Sequence, residues 1–425
     1  MKKALDATPP QVAPEELIAL VTASFGPPEE HIGPSYSTRR NKDGPLESRA
    51  ISSPHKAVDA SPQVSPEELI ALVTASFGPP EQHIACGLAA QAKSYTREGR
   101  TNMRAMRAEQ FIGYEALKLV ELPKPVVSDG RVLVRIKAAG VTPLDHTILS
   151  GKFHTTKVPL VLGNEGAGVV EEGGGTDFPV GSRVMFWGTY GAFEDGTYSE
   201  WIAVRKEDLC LIPDEVDDVS AAGIPVAYLT AQVALYLAGF RAGKTVLAPA
   251  IGGSVGNAVT QLARALGAKH AVSSTTNHAK AEQAKTLGFN EVIDTSLEKL
   301  GDGVRRITGG YGADIVIDGI GGEVLSEALG ALALGGSLTT LGYSASRQTT
   351  IDVTDLIVPQ ASIRSLNMFL QPQATVTDAW SAIVSLLKSG AIKPIVAKTF
   401  PLAEAAHALR YLVEGRPFGR VVLTI

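Results

Sequence analysis

Residues 246–268, VLAPAIGGSVGNAVTQLARALGA, constrain the fold more than any other stretch of this 425-residue chain. Val246, Leu247 and Ala248 form a short apolar run suited to a buried parallel strand. Residues 250–256, AIGGSVG, make a tight turn of small residues. From Asn257 the apolar residues Val259, Leu262, Ala263 and Leu266 recur at helical spacing, and Gly267 caps the helix. Small residues let the backbone approach a pyrophosphate, whose charge is stabilised by the N–H groups and dipole of a helix start. Strand, turn and helix in this order predict a dinucleotide-binding unit with Gly252, Gly253, Ser254, Val255 and Gly256 at the cofactor. The first turn position is Ala250, where the simplest fingerprint has glycine.

The rest of the composition fits a globular protein large enough for two domains, with 44% hydrophobic residues. A formal net charge of −5 argues against a nucleic-acid partner recruited by a basic surface. No apolar run approaches the length of a membrane span, and Met1-Lys2-Lys3 is followed by no hydrophobic stretch of the kind a secretory signal needs. The only cysteines, Cys86 and Cys210, are too few for a disulfide framework or a four-cysteine zinc site, so a reducing cytoplasm is expected.

An internal repeat precedes the regular pattern. Residues 11–32 recur as residues 63–84 with differences only at Ala13/Ser65 and Glu30/Gln82. Each copy reads as one short helix; in the second, Ser65, Pro66 and Glu68 give a capped start and Gly78-Pro79-Pro80 a stop. The polar stretch between them has the composition of a linker. This leader is expected to be a poorly ordered extension, with docking helices for a partner as the other reading, and Met103 stands where regular fold signals begin. From there residues 131–138 alternate as a half-buried strand should, and short β segments separated by glycines continue to about Pro225. Strands and helices then alternate, the pattern of a doubly wound α/β sheet. Helices are expected over 379–387 and 403–413, and a last strand over 420–425 that can return to the first β domain.

The second strand of the nucleotide unit ends in residues 273–280, SSTTNHAK, with no carboxylate to hold a ribose 2′-hydroxyl. Thr275, Asn277 and Lys280 offer a hydroxyl, an amide and an ammonium to a 2′-phosphate instead, which favours NADPH over NADH; a solvated helix residue is the other reading of Lys280.

Further motifs carry a resemblance: AAGVTPLD at 138–145, VLGNEGAG at 161–168, GTYSEW at 196–201, LTA at 229–231, the glycine turn, and FGRVVL at 418–423. With them residues 103–425 resemble the zinc-free, quinone-oxidoreductase branch of the medium-chain dehydrogenase/reductases. The resemblance implies an α/β protein with a GroES-like β-barrel catalytic domain (103–225 and 363–425) and a Rossmann NADPH-binding domain (226–362), residues 1–102 lying outside both. The active site is then expected in the cleft between the domains, and the assembly as a homodimer. Zinc-dependent members bind their catalytic metal through Cys, His and Cys; the matching positions here are Thr142, Asn164 and Val226, so no metal site is expected. Thr230 is expected near the nicotinamide, and Gly319, Gly342 and Tyr343 at the cofactor cleft.

The implied activity is NADPH-dependent hydride transfer to quinones or related α,β-unsaturated carbonyls. Tyrosines that related reductases carry near Phe153 and near Thr147 are missing, which leaves Thr147 and Tyr198 as the catalytic candidates and Tyr190 as a further substitute. Asp145 and Glu165 read as structural hydrogen-bonding groups, and His146 as a proton relay or a surface residue. An enoyl or alkenal reductase of the same fold and a non-catalytic NADPH-binding protein are the alternatives.

Overall fold

The apolar alternation of residues 131–141 produces β3 (Arg131–Val141), the strand around which the first lobe is assembled. The computed structural model describes residues 101–425 except residue 176; the duplicated segment, its two expected helices and Cys86 lie outside the described residues. The other strands of the first lobe are β1 (Asn102–Ala108), β2 (Leu117–Pro123), β4 (Leu160–Val161), β5 (Glu165–Glu172), β6 (Arg183–Trp187), β7 (Trp201–Arg205) and β8 (Leu209–Leu211). The second lobe carries β9 (Thr245–Ala248), β10 (His270–Thr275), β11 (Val292–Asp294), β12 (Ala313–Asp318), β13 (Leu332–Thr340) and β14 (Ser362–Ser365), and the chain ends with β15 (Val396–Pro401) and β16 (Arg420–Thr424).

The final strand does return. β16 pairs antiparallel with β3, Val421 opposite Val141, in a sheet ordered β15-β16-β3-β5-β6-β8 with β7 also on β3. A three-stranded sheet, β2-β1-β4, completes this barrel-like lobe. The second lobe is a parallel sheet ordered β11-β10-β9-β12-β13-β14, so the strand order reverses beside β9 and opens the crevice in which such sheets bind ligands. The glycine turn follows β9 and stands at that reversal.

The nucleotide-binding sheet extends past the boundary expected at residue 362. β14 crosses it, and the helix Gln373–Lys388 packs on the helix Pro225–Leu237 through Ala379, Trp380, Ile383 and Leu387. The reason is physical: all four residues of β14 are exposed at a sheet edge, so no buried face imposes an apolar alternation on them. The lobes share one core, in which Ala138, Ala167 and Met185 of the barrel meet Leu229, Val246 and Val259 of the second lobe. Each buried Val or Leu there contributes about 1.5–3 kcal/mol, so the cleft has a rigid floor. Among the described residues no helix is long and apolar enough to cross a membrane.

Candidate active site

The turn after β9 is held in a conformation few residues tolerate. Ala250 has a left-handed backbone, φ 64°, which costs an L-residue about 1–2 kcal/mol. A Cβ on Gly256 would lie 2.3 Å from the Pro249 carbonyl oxygen, so only glycine lets the helix Ser254–Ala265 start this close to the strand. That helix begins at Gly253 with no side-chain cap, leaving its first N–H groups to an external acceptor.

Arg420 sits at the same helix start. Its guanidinium is buried; Nη1 donates to Ser254 Oγ at 2.7 Å and Nη2 to the Glu165 carboxylate, while Nε has no partner. The other Glu165 oxygen accepts from the Val226 N–H at 2.7 Å. Burial lowers the Arg420 pKa to about 10, opposed by the Asp145 charge, so the group stays cationic at neutral pH. An uncapped helix start beside a buried cation suits the diphosphate of a dinucleotide.

At the end of β10, Thr275 Oγ1 accepts from the Asn277 N–H, and Asn277 caps the helix His278–Thr286 by accepting from the Lys280 N–H at 3.1 Å. Lys280 Nζ donates to the carbonyl of Arg416, whose backbone is itself left-handed. Burial, then the Arg416 charge, lowers the Lys280 pKa. Two cations therefore stand together at this end of the helix His278–Thr286. The carboxylate opposite Thr275 in the sheet, Asp294, is already engaged by Ser296 and by His278 Nδ1 at 2.8 Å. Across the crevice the loops carrying Gly319 and Gly342 nearly touch: a Cβ on Gly342 would lie 2.6 Å from the Gly319 oxygen. Tyr343 follows, half exposed, with the Arg347 guanidinium 5.5 Å above its ring.

Of the three positions matched to the metal ligands, Thr142 and Asn164 lie against each other, and Val226 is bonded to Glu165, the neighbour of Asn164. Thr142 Oγ1 donates to Asp145 Oδ2 at 2.9 Å and lies 3.4 Å from Asn164 Oδ1, and Val226 is the second residue of the helix Pro225–Leu237, which carries Thr230 one turn further on. Asp145 is the hub of this wall: it also accepts from the N–H groups of Thr142 and Gly163 and from the Tyr198 hydroxyl at 3.0 Å. Its pKa is raised by burial against the pull of those hydrogen bonds. Thr142 has thus spent its hydroxyl on a carboxylate, Asn164 offers an amide oxygen, and the Val226 side chain has no ligand atom.

The proton-donor candidates take other places. Tyr198 is wholly buried and gives its proton to Asp145, and burial holds its pKa well above the ordinary phenol value. Tyr190 is buried too, donating to Asp208 at 2.6 Å and accepting from the Arg205 N–H. Thr147 Oγ1 donates to the Pro143 carbonyl of its own helix. His146 leans on Tyr114 at 5.5 Å between ring centroids, and burial lowers its pKa; it makes no bond to Asp145.

Residues 128–214 match the alcohol dehydrogenase GroES-like domain model and residues 254–388 the model described as zinc-binding dehydrogenase. A 2-haloacrylate reductase from Burkholderia sp is 33% identical over 306 residues, covering 69% of this chain and 90% of the relative. The Homo sapiens quinone oxidoreductase is 29% identical, covering 77% and 99%. A mycobacterial protein solved with NADPH superposes with a TM-score of 0.68 at 28% identity, covering 76% and 100%. The chain belongs to the medium-chain dehydrogenase/reductase family, in its quinone-oxidoreductase type.

It is therefore an oxidoreductase. As a medium-chain dehydrogenase/reductase it presents one pairing that reading the sequence alone did not find, Arg420 with Glu165 and Ser254. A signal was available: a charged residue in an otherwise apolar final strand requires a buried partner. Arg416 was missed for a different reason, since nothing local marks a helix-end arginine as a neighbour of Lys280, 136 positions away.

Proposed function

We propose that this oxidoreductase transfers hydride from NADPH to quinones, without a metal. The observation that supports the reading is that Thr142, Asn164 and Val226 offer no thiolate or imidazole to a metal, while Glu165 beside Asn164 is paired through Arg420 with Ser254 at the glycine turn. Gly252, Gly253, Ser254, Val255 and Gly256 with Arg420 would hold the diphosphate, and Thr275, Asn277, Lys280 and Arg416 the 2′-phosphate. Thr230, Gly319, Gly342 and Tyr343 would line the crevice toward the nicotinamide. NADPH, when bound, supplies the hydride.

With no Lewis acid, the acceptor must stabilise its own developing charge, as a quinone does in becoming an aromatic hydroquinone anion that solvent can protonate. The protein's part is then orientation: the buried Glu165–Arg420 pair and the Asp145 hub fix the two walls between which the acceptor lies. The 33% identity to a 2-haloacrylate reductase supports activated alkenes as a second acceptor class.

We further read the molecule as a homodimer joined along β14, whose strand edge is bordered by exposed Val353, Ile357, Val358 and Ile363. Free Cys210 fits a reducing cytoplasm. The deciding experiment follows NADPH and NADH oxidation by the full chain with 1,4-benzoquinone, propenal and 2-chloroacrylate side by side. Faster turnover with NADPH and a quinone is expected; tight NADPH binding with no acceptor turned over would leave a nucleotide-binding protein instead.

A further inference from the structure

A chain of side-chain amides holds the carbonyl of Ile251 in the middle of the glycine turn. Ile251 is buried; its N–H donates to the Ser274 carbonyl of β10 at 2.9 Å, and its own carbonyl accepts from Asn257 Nδ2 at 3.2 Å. Asn257 Oδ1 accepts in turn from Gln261 Nε2 at 2.8 Å, one turn further along the helix Ser254–Ala265. Gln261 is fixed from outside that helix by one residue, Lys393. Its Nε2 also donates to the Lys393 carbonyl at 2.9 Å, and its Oε1 accepts from the Lys393 N–H at 2.7 Å. Lys393 lies where the chain leaves the helix Gln373–Lys388 for β15 of the barrel sheet.

This chain has a direction. A side-chain amide donates at one end and accepts at the other. Because Lys393 engages both ends of Gln261, it decides that the donating end faces Asn257. Asn257 meets that donor with its oxygen, which leaves its own N–H₂ for the Ile251 carbonyl. The carbonyl and the next N–H of a trans peptide point opposite ways. A carbonyl drawn inward to Asn257 therefore turns the Gly252 N–H to the other side. With Asn257 reversed, oxygen would face oxygen at Ile251, and the peptide next to left-handed Ala250 would lose its anchor. The turn is thus oriented from a crossover 132 positions away from Gln261.

Resting on the nucleotide-binding reading above, we propose that Asn257 and Gln261 are positioning residues for the cofactor. The amide polarity that they hand on from Lys393 aims the Gly252 N–H at the diphosphate, without either side chain touching the nucleotide.

The test titrates NADPH fluorescence and records thermal midpoints for the full chain, Gln261→Glu, Gln261→Met, Asn257→Ala and the double variant Asn257→Ala with Gln261→Glu. Glu has nearly the shape of Gln and keeps the bond from the Lys393 N–H, but it only accepts, so Asn257 must reverse. Met removes both polar ends and imposes no direction. Gln261→Glu should raise the Kd about tenfold, and Gln261→Met or Asn257→Ala about threefold. In the Asn257→Ala background, Gln261→Glu should add less than about twofold, because the group it acts through is gone. The acceptor KM should hardly move in any variant. Loss of hydrogen bonds alone gives the opposite order, Met worse than Glu; that order overturns the proposal. Lowered thermal midpoints with wild-type Kd values also overturn it, leaving both residues with a merely structural role. A wild type that binds neither NADPH nor NADH overturns the nucleotide reading and the proposal together. The expected order of affinities with no acceptor reduced supports the proposal and overturns the reductase reading alone.

Discussion

Arg420 Nη1 donates to Ser254 Oγ at 2.7 Å, joining the last strand of the barrel lobe to the first residue of the nucleotide-binding helix. The same guanidinium is paired with buried Glu165 on the barrel side. One cation thus fixes the distance between the lobes and supplies positive charge where a diphosphate would sit.

Arg420→Met leaves the Glu165 carboxylate buried without its counter-charge, which should destabilise the protein by about 3–5 kcal/mol. Combining it with Glu165→Gln removes the stranded charge and should recover part of that loss. Urea denaturation of the three variants checks this; a double variant no more stable than Arg420→Met would refute the pairing account.

Lys280 and Arg416 should govern cofactor choice. If Lys280 and Arg416 hold the 2′-phosphate as proposed, Lys280→Ala and Arg416→Ala would each remove a charge-assisted bond of about 1.5–3 kcal/mol, and the KM for NADPH should rise roughly tenfold or more. The KM for NADH should hardly move. Thr275→Asp should shift preference toward NADH, and an unchanged NADPH/NADH ratio in all three variants would contradict the NADPH assignment.

Tyr198 separates positioning from proton transfer. Its hydroxyl is one of several donors to Asp145, so Tyr198→Phe should cost about 1 kcal/mol of stability. Quinone turnover should stay within about threefold, whereas loss of a general acid would cost about 10²–10⁴-fold. A drop of that size would show that the buried hydroxyl reaches the substrate.

Asp145 should leave a signature in the pH dependence of stability. Burial raises its pKa above the ordinary value of 3.8. A carboxyl that holds its proton more tightly when folded favours folding below its unfolded pKa, and that contribution is lost as pH rises through the folded one. Asp145→Asn does not titrate, so the stability of wild type minus that of the variant should decrease from pH 4 to pH 7. A difference that grows with pH would mean that the hydrogen bonds outweigh burial.

The β14 edge gives a separate test of assembly. A lysine at an exposed strand edge opposes edge-to-edge pairing, so Ile363→Lys with Val358→Lys should yield monomers in light scattering at concentrations where wild type is dimeric. A monomeric wild type would remove the homodimer reading outright.

Legibility in the sequence followed the range of the interaction involved. The strand, turn and helix over 245–265 declared themselves because small residues and helical apolar spacing are local properties. β14 stayed invisible because an exposed edge strand has no buried face to pattern it. The candidate tyrosines were recognisable as residues, but their hydroxyls are turned to Asp145 and Asp208, which only packing reveals.

The sequence by itself determined an α/β chain with a nucleotide-binding turn, since the strand, the small-residue turn and the helix after it each follow from residue identity within a short segment. Tertiary structure alone decided that Glu165 meets Arg420 across 255 positions, that Arg416 stands by Lys280, and that Phe369 stacks on Trp187. Such pairings depend on where two distant segments cross, and no periodicity in either segment encodes the other.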